Sequence, residues 1–241
     1  MISTKELQRY EKQLSLKNWD KQTQQVLKEK HVFIAGIGGL GSVVAYYLAG
    51  AGIGTLTLCD SDKVELSNLN RQIIHQENKI GQYKTNSASE KLHMFNPNIS
   101  INRITDTISN KNIKIFLSQI DLVIDCLDNY STRYVINNAC HNMNLPLIHG
   151  GAEEFNGQIT FIQTPKTPCL ACFLPKRDKK KSFSIVGATA GIIGSLQALE
   201  AIKYFTGIGS ILTNKLLFWD GQITSLKQIT IKKNPHCKIC S

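Results

Sequence analysis

The stretch Val32-Phe33-Ile34-Ala35-Gly36-Ile37-Gly38-Gly39-Leu40-Gly41 constrains the fold of this chain more than any other. Its first four residues, β-branched and aromatic, read as a strand buried on both faces, as in a parallel sheet. The glycines that follow fit G-x-G-x-x-G, and residues 40–51 continue as a helix apolar almost all round. Thr55-Leu56-Thr57-Leu58-Cys59 is a second strand, ended by Asp60. Strand, glycine turn, helix and strand make one βαβ unit. Gly36, Gly38, Gly39 and Gly41 let the backbone turn tightly and approach a polyphosphate. The helix behind them supplies unpaired N–H groups and the positive end of its dipole. Asp60 stands where an acid accepts hydrogen bonds from a ribose. A glycine turn with no ligand is the plain competing reading, but the strand, helix and acid around it favour a nucleotide. The motif alone leaves the nucleotide open, with a nicotinamide-dependent oxidoreductase as the leading guess.

The alternation continues. Helices are expected at 84–95, 110–117 and 132–143, with strands at 99–104, 121–125 and 146–149, which predicts a mostly parallel sheet with helices on both faces. Ahead of the first strand, Ser3-x-x-Glu6 is a capping box that starts a helix through Leu14, and 22–30 is helical. Past Gly151 the pattern changes. A strand at 158–163 has no crossover helix before it, and a helix at about 189–205 has small residues in its first half. The β-rich runs 215–219 and 222–231 meet at Asp220-Gly221, a hairpin signal. The fold class is therefore α/β: a Rossmann-like, mostly parallel sheet flanked by helices and extended by antiparallel strands. Across 241 residues no linker interrupts the pattern, so 1–241 reads as a single domain.

After Asp60 come Ser61-Asp62-Lys63-Val64-Glu65-Leu66-Ser67-Asn68-Leu69-Asn70-Arg71-Gln72, then Gly81-Gln82-Tyr83-Lys84. A dinucleotide half-site has no need of this polar loop or of a lysine opening the next helix, whereas a triphosphate does. An arginine fork clamps phosphate oxygens, and a lysine is a mobile point charge on the transferred group. Either Asp62 or Asp128 offers the oxygen ligands that Mg²⁺ prefers.

Of seven cysteines, Cys169/Cys172 and Cys237/Cys240 form two Cys-x-x-Cys pairs. The first residues hold no apolar signal-peptide stretch, and no apolar run reaches the roughly 18 residues of a membrane span, so a cytoplasmic protein with reduced thiols is expected. There, four thiolates match a structural Zn²⁺ with no open position for catalysis. A redox pair is disfavoured because neither precedes a helix in a thioredoxin-like setting. His236 beside the second pair reads as a surface residue, and the remaining histidines show no metal spacing. Cys59, Cys126 and Cys140 sit in or beside apolar segments and read as core. The net charge of +10 raises nucleic acid as a partner, but the one dense basic cluster, Lys176–Lys181, has no interleaved aromatics to stack on bases. Neither nucleic acid nor a membrane is expected.

Taken together, Arg9-Tyr10-x-x-Gln13, G-x-G-G-x-G, Asp60-x-Asp62, Ser67-Asn68-Leu69-Asn70-Arg71-Gln72, Lys84, Asp125-Cys126-Leu127-Asp128-Asn129, both cysteine pairs and Leu196-Gln197-Ala198-Leu199-Glu200-Ala201-Ile202-Lys203 resemble the ThiF/MoeB/HesA family, bacterial relatives of ubiquitin-activating enzymes. The resemblance spans nearly the whole chain. It implies ATP-dependent adenylation of the C-terminal glycine carboxylate of a small β-grasp sulfur-carrier protein ending in Gly-Gly, of thiamine or molybdopterin type, with release of pyrophosphate. Gly39 and its neighbours would approach the ATP phosphates and Asp60 the ribose. Ser67, Asn68, Asn70, Arg71 and Lys84 would line the phosphate site, with Asp62 nearby, and Asp128 and Asn129 would sit beside the α-phosphate and Mg²⁺. Arg71, Lys84 and Asp128 are then the catalytic candidates. The resemblance further implies a homodimer. In the family a second arginine in R-Y-x-R-Q reaches the neighbouring subunit's ATP; here that position is Lys12, which keeps the charge and loses the fork. ThiF-like members also carry a cysteine that joins covalently to the carrier. Here the position falls in Lys179-Lys180-Lys181, which disfavours a covalent step. The alternatives are a nicotinamide-dependent oxidoreductase, activation of a peptide carboxylate by the same chemistry, and a catalytically silent scaffold; intact Asp60, Arg71, Lys84 and Asp128 argue against the last.

Overall fold

The computed structural model describes residues 1–174 and 184–241. Two short helices, α1 (Thr4–Arg9) and α2 (Glu11–Leu14), and then α3 (Lys21–Lys28) precede the first strand. The capping box forms as read: Ser3 and Glu6 exchange bonds, closing the free N–H groups of the first turn. The single helix expected through Leu14 is broken at Tyr10, where the backbone leaves helical geometry. Tyr10 is buried there, its hydroxyl accepting from Asn96 and its ring lying where a side chain on Gly52 would have to go.

The βαβ run follows as β1 (His31–Ala35), α4 (Gly39–Ala51) and β2 (Thr55–Cys59). Next come α5 (Lys84–Phe95), β3 (Ser100–Ile104), α6 (Ile113–Phe116), β4 (Leu122–Asp125), α7 (Tyr130–Met143) and β5 (Leu147–Glu153). The expected helix at 110–117 shrinks to the single turn α6. Asn112 accepts from the N–H and hydroxyl of Ser109 and donates to the Thr107 carbonyl, holding the preceding residues in a side-chain turn that competes with helix. The second half contains β6 (Asn156–Ile162), the one-turn α8 (Leu170–Phe173), α9 (Gly187–Thr206), β7 (Lys215–Asp220) and β8 (Ser225–Thr230). In the β7–β8 hairpin Asp220 pairs with Ser225, so the turn is 221–224 and β8 starts later than read. Asp220 accepts from the Gln222 N–H inside that turn, and Thr224 takes a positive φ.

Among the described residues all eight strands join one sheet in the order β3-β2-β1-β4-β5-β6-β7-β8, parallel as far as β5 and antiparallel beyond. Neighbouring side chains of β1 point to opposite faces. Val32 and Ile34 meet the apolar faces of α4 and α9, whereas Phe33 and Ala35 meet α6 and α7. The small residues of α9 let it lie close on α4; a methyl on Gly194 would stand 2.8 Å from the Leu40 carbonyl oxygen. On the α7 side, Ile162 of β6 still belongs to the buried cluster that contains Ile136 and Ala139 of α7, whereas Lys227 and Ile229 of β8 are exposed. The pairing puts Gln158, Phe218 and Lys227 in one row across β6, β7 and β8, on a face where Ile229 is exposed. Among the described residues no helix is long and apolar enough to cross a membrane.

Candidate active site

The chain reverses direction across the sheet between β1 and β4, and the crevice at the carboxyl ends of these strands is where open α/β sheets bind ligands. Gly36 leaves β1 with φ +91°, which glycine alone adopts readily, and a Cβ there would lie 2.9 Å from the Cys126 carbonyl oxygen. The loop after β1 thus touches the loop after β4, which carries Leu127, Asp128 and Asn129. Gly41 packs α4 onto the strand end: its Cβ would meet the Gly36 carbonyl oxygen at 2.0 Å. Gly38, the N-cap of α4, has no side-chain cap, and a Cβ there would meet only the Gln72 carboxamide, at 3.6 Å. Free N–H groups therefore open onto a cradle with room for phosphate oxygens. Gly39 lies against Arg71 and Ala190.

Asp60 accepts from the Ile37 N–H at 2.7 Å and from the Asp62 N–H at 2.9 Å. Burial pushes its carboxyl above the ordinary value, against the pull of Lys84. Lys84 opens α5, is almost buried, and pairs at 2.8 Å with the largely exposed Asp62. Asn68 is buried with its carbonyl oxygen on the Glu65 N–H, so it shapes the loop as well as lining it. Arg71 donates to the Ser67 carbonyl and to the Asn70 side chain, both at 2.9 Å, which folds its guanidinium back along the loop beside Gly39. Asn70 and Ser67 are exposed there, as is Asp128 in the loop after β4. Asn129 is partly committed elsewhere: its oxygen caps α7 by accepting from the Thr132 N–H.

Lys12 stands apart from these groups. It is exposed on α2, whose Gln13 donates to the Ala51 carbonyl at the far end of α4. That helix has 13 residues, about 20 Å of rise, between Lys12 and the glycine loop of its own chain.

The four cysteines come together beside the middle of α7, where Asn137 accepts from the Leu170 N–H. Cys169 lies 3.9 Å from Cys172 and 3.6 Å from Cys237, Cys172 lies 3.4 Å from Cys240, and all four sulfurs fall within 4.8 Å of one another. A zinc tetrahedron with bonds of about 2.3 Å has edges of about 3.8 Å, so the set fits that ion. Cys59, Cys126 and Cys140 are buried in the core as read. Burial pushes the Cys59 thiol up to about 12 and those of Cys126 and Cys140 upward too, which keeps them protonated and unreactive. The Lys176–Lys181 segment and the position at Lys179–Lys181 lie outside the described residues.

Three features were not visible in the sequence. The N-terminus of α9 abuts the site, with Gly187 so close to the Asn70 carbonyl oxygen that a Cβ would sit at 2.7 Å. His75 bonds the Ile37 carbonyl at 3.0 Å and Ser87 at 3.0 Å, so the Ile37 backbone is held at its N–H by Asp60 and at its carbonyl by His75. His149 pairs with Asp125 beneath the loop that bears Asp128. Both histidines had shown no partner in the sequence because each finds one through the fold.

The model of the ThiF family matches residues 10–239. The chain is 37% identical over 245 residues to the molybdopterin-synthase adenylyltransferase of Escherichia coli (strain K12), covering 99% of this chain and 98% of that one. It is 38% identical over 247 residues to the adenylyltransferase and sulfurtransferase MOCS3 of Drosophila persimilis, and spans about half of that protein, 55% of its length. Among solved structures, E. coli MccB with ATP superposes with a TM-score of 0.81 at 25% identity, over 91% of this chain and 69% of that chain.

Proposed function

The chain belongs to the ThiF family, and from that membership we propose that it adenylates the C-terminal glycine carboxylate of a small ubiquitin-like sulfur-carrier protein with ATP, releasing pyrophosphate. The observation that carries the reading is the open, uncapped cradle at Gly38 with Arg71 beside it and Lys84 linked to it through Asp62 and Asp60. Such a site suits a polyphosphate and places positive charge where a leaving pyrophosphate develops negative charge. In the reaction a carboxylate oxygen of the carrier attacks the α-phosphorus, the bond between that phosphorus and the α–β bridging oxygen breaks, and pyrophosphate leaves with the electron pair. No covalent bond to the enzyme is needed; positioning and charge neutralisation suffice. Asp60 orients the ribose end, the α4 N-terminus and Arg71 hold phosphate oxygens, and Lys84 exchanges Asp62 for the phosphate chain. Asp128 would hold Mg²⁺, which neutralises phosphate charge when bound. Ser67, Asn68, Asn70 and Asn129 complete the walls.

The whole chain, 1–241, acts as one adenylation domain in the cytoplasm, and the carrier docks on the partly exposed face formed by Gln158, Phe218 and Lys227. A second copy of the chain covers the open apolar recess of about 430 Å³ lined by Val43, Tyr46, Tyr47, Ile73 and Phe95. Gln13 borders that recess, so Lys12 beside it would face the partner's site and not its own. The four cysteines hold one structural Zn²⁺. The test is ATP–pyrophosphate exchange by the purified protein with Mg²⁺ against a panel of carriers ending in Gly-Gly. Exchange with at least one carrier, and an acyl-adenylate in its mass spectrum, is the expected result. No exchange with any, together with a bound and reducible nicotinamide, would turn the assignment to an oxidoreductase.

A further inference from the structure

At the end of β4, Asp125 is fully buried, and its two carboxylate oxygens have different tasks. One accepts from the Leu127 N–H at 3.0 Å. The other accepts from His149 Nδ1 at 2.7 Å and lies 3.4 Å from Arg133 Nε. Arg133, on α7, donates through Nη2 to the carbonyls of Leu127 and Gly150. Leu127 is thus gripped at both its N–H and its carbonyl, and the next residue is Asp128. His149 is itself fully buried, and its other nitrogen faces the Gln158 amide at 3.1 Å. Since a carboxylate takes Nδ1–H, and Nε2 is left to accept from the Gln158 amide, this pattern selects the neutral Nδ1–H tautomer. Arg133⁺ and Asp125⁻ already balance in the low-dielectric interior, and burial lowers the proton affinity of His149 further.

We propose that His149 is a positioning residue for adenylation: as a neutral imidazole it links the half-buried Gln158, in the row that runs on to Phe218 and Lys227, to Asp125 and the Leu127 backbone, and so holds Asp128 in its working place. The inference rests on the adenylation reading. Within that reading it adds a group that touches no substrate, and it connects the face where a carrier would lie to the acid beside the α-phosphate. Loss of the Nδ1–H bond frees one oxygen of Asp125 to turn toward Arg133 and releases the Leu127 N–H. Displacement of a reacting group by about 1 Å costs on the order of a hundredfold in rate, so even partial release is measurable.

Two variants separate this role from simple packing. In His149→Asn the amide nitrogen falls near the Nδ1 position and keeps the bond to Asp125; in His149→Gln the amide reaches the Nε2 position and loses it. His149→Gln is expected to lower kcat for ATP–pyrophosphate exchange at least about tenfold with KM for ATP within about twofold, and His149→Asn to return kcat to within about threefold of wild type. Equal kcat in all three proteins would overturn the inference, as would an Asn variant that folds to the wild-type melting temperature and is no better than Gln. A wild-type protein that exchanges with no carrier would instead refute the adenylation reading. A measurement independent of activity is ¹⁵N NMR of histidine-labelled full-length protein. His149 should show the Nδ1–H tautomer from about pH 6 to 8, and an Nε2–H or doubly protonated ring would sink the proposal by itself.

Discussion

Gly38 and Gly41 stand three residues apart in one motif, and the structure assigns them opposite kinds of necessity. A methyl on Gly41 would lie 2.0 Å from the Gly36 carbonyl oxygen and 3.0 Å from its carbon, about 1 Å inside the closest approach that real side chains make. Backbone is the obstacle, so α4 must slide off the end of β1 and take the glycine loop with it. Overpacking of this kind costs about 1–3 kcal/mol and more where backbone must move, so Gly41→Ala is placed at about 3 kcal/mol or above. With a shift of about 2–4 °C per kcal/mol at this chain length, that is a fall of roughly 6–12 °C in melting temperature. Gly38 differs. Its φ of −89° is negative, so no left-handed backbone demands glycine, and the nearest atom to a new methyl, Gln72 Nε2 at 3.6 Å, is in ordinary contact. Replacing an N-cap glycine by alanine costs a few tenths to about 1 kcal/mol, offset by a similar gain from a less flexible unfolded chain. Gly38→Ala should therefore melt within about 3 °C of wild type. The same methyl stands in the cradle that the phosphates would occupy, so ATP affinity should fall at least about tenfold, or about 1.4 kcal/mol. Differential scanning calorimetry with and without ATP, and isothermal titration of nucleotide, read both quantities. Wild-type ATP affinity in Gly38→Ala would show that no phosphate lies over Gly38, and a wild-type melting temperature in Gly41→Ala would refute the packing argument.

Three further outcomes are expected. Arg71→Ala and Lys84→Ala should each slow pyrophosphate exchange about a hundredfold while the protein stays folded, the scale of losing one preorganised contact to developing charge; near-normal exchange in either would move the phosphate site elsewhere. Metal analysis should find one zinc per chain, and Cys237→Ser or prolonged chelation should lower the melting temperature; protein purified without chelator that carries no zinc contradicts the cysteine assignment. Burial alone would raise the Asp125 carboxyl, but the Arg133 guanidinium and the bond from His149 outweigh it and hold it below the ordinary carboxylate value. A depressed folded pKa means that its stabilisation is present above about pH 4 and drains away as pH falls through the folded value. Asp125→Asn, which leaves Arg133 buried and unpaired, should lose about 3–5 kcal/mol at pH 7 in urea unfolding, with the gap to wild type closing in strong acid. Equal stability at pH 7 would mean that the pair contributes nothing.

What sequence alone determined about this protein is whatever is written in neighbouring residues. The run 32–41 specifies strand, turn and helix because apolar period, glycine placement and helix length are local properties. The Asp60 strand end, the Cys-x-x-Cys spacings and the core positions of Cys59, Cys126 and Cys140 were legible for the same reason, and so was the hairpin after residue 214. Local reading failed where a distant residue intervened. The break at Tyr10 goes with its burial against Gly52 and Asn96, and the shortened α6 reflects a competing Asn112 turn that apolar spacing does not reveal. The candidate site follows the same division. Arg71 and Lys84 announce themselves by type and spacing, whereas His75 and His149 looked idle until the fold brought Ile37 and Asp125 to them across 38 and 24 residues of chain. Only the tertiary structure decided that the N-terminus of α9 closes on Asn70 and that Lys12 lies a helix length from its own glycine loop. A sequence pattern records what a residue can do, but a buried hydrogen bond exists only once the sheet order has chosen its two ends.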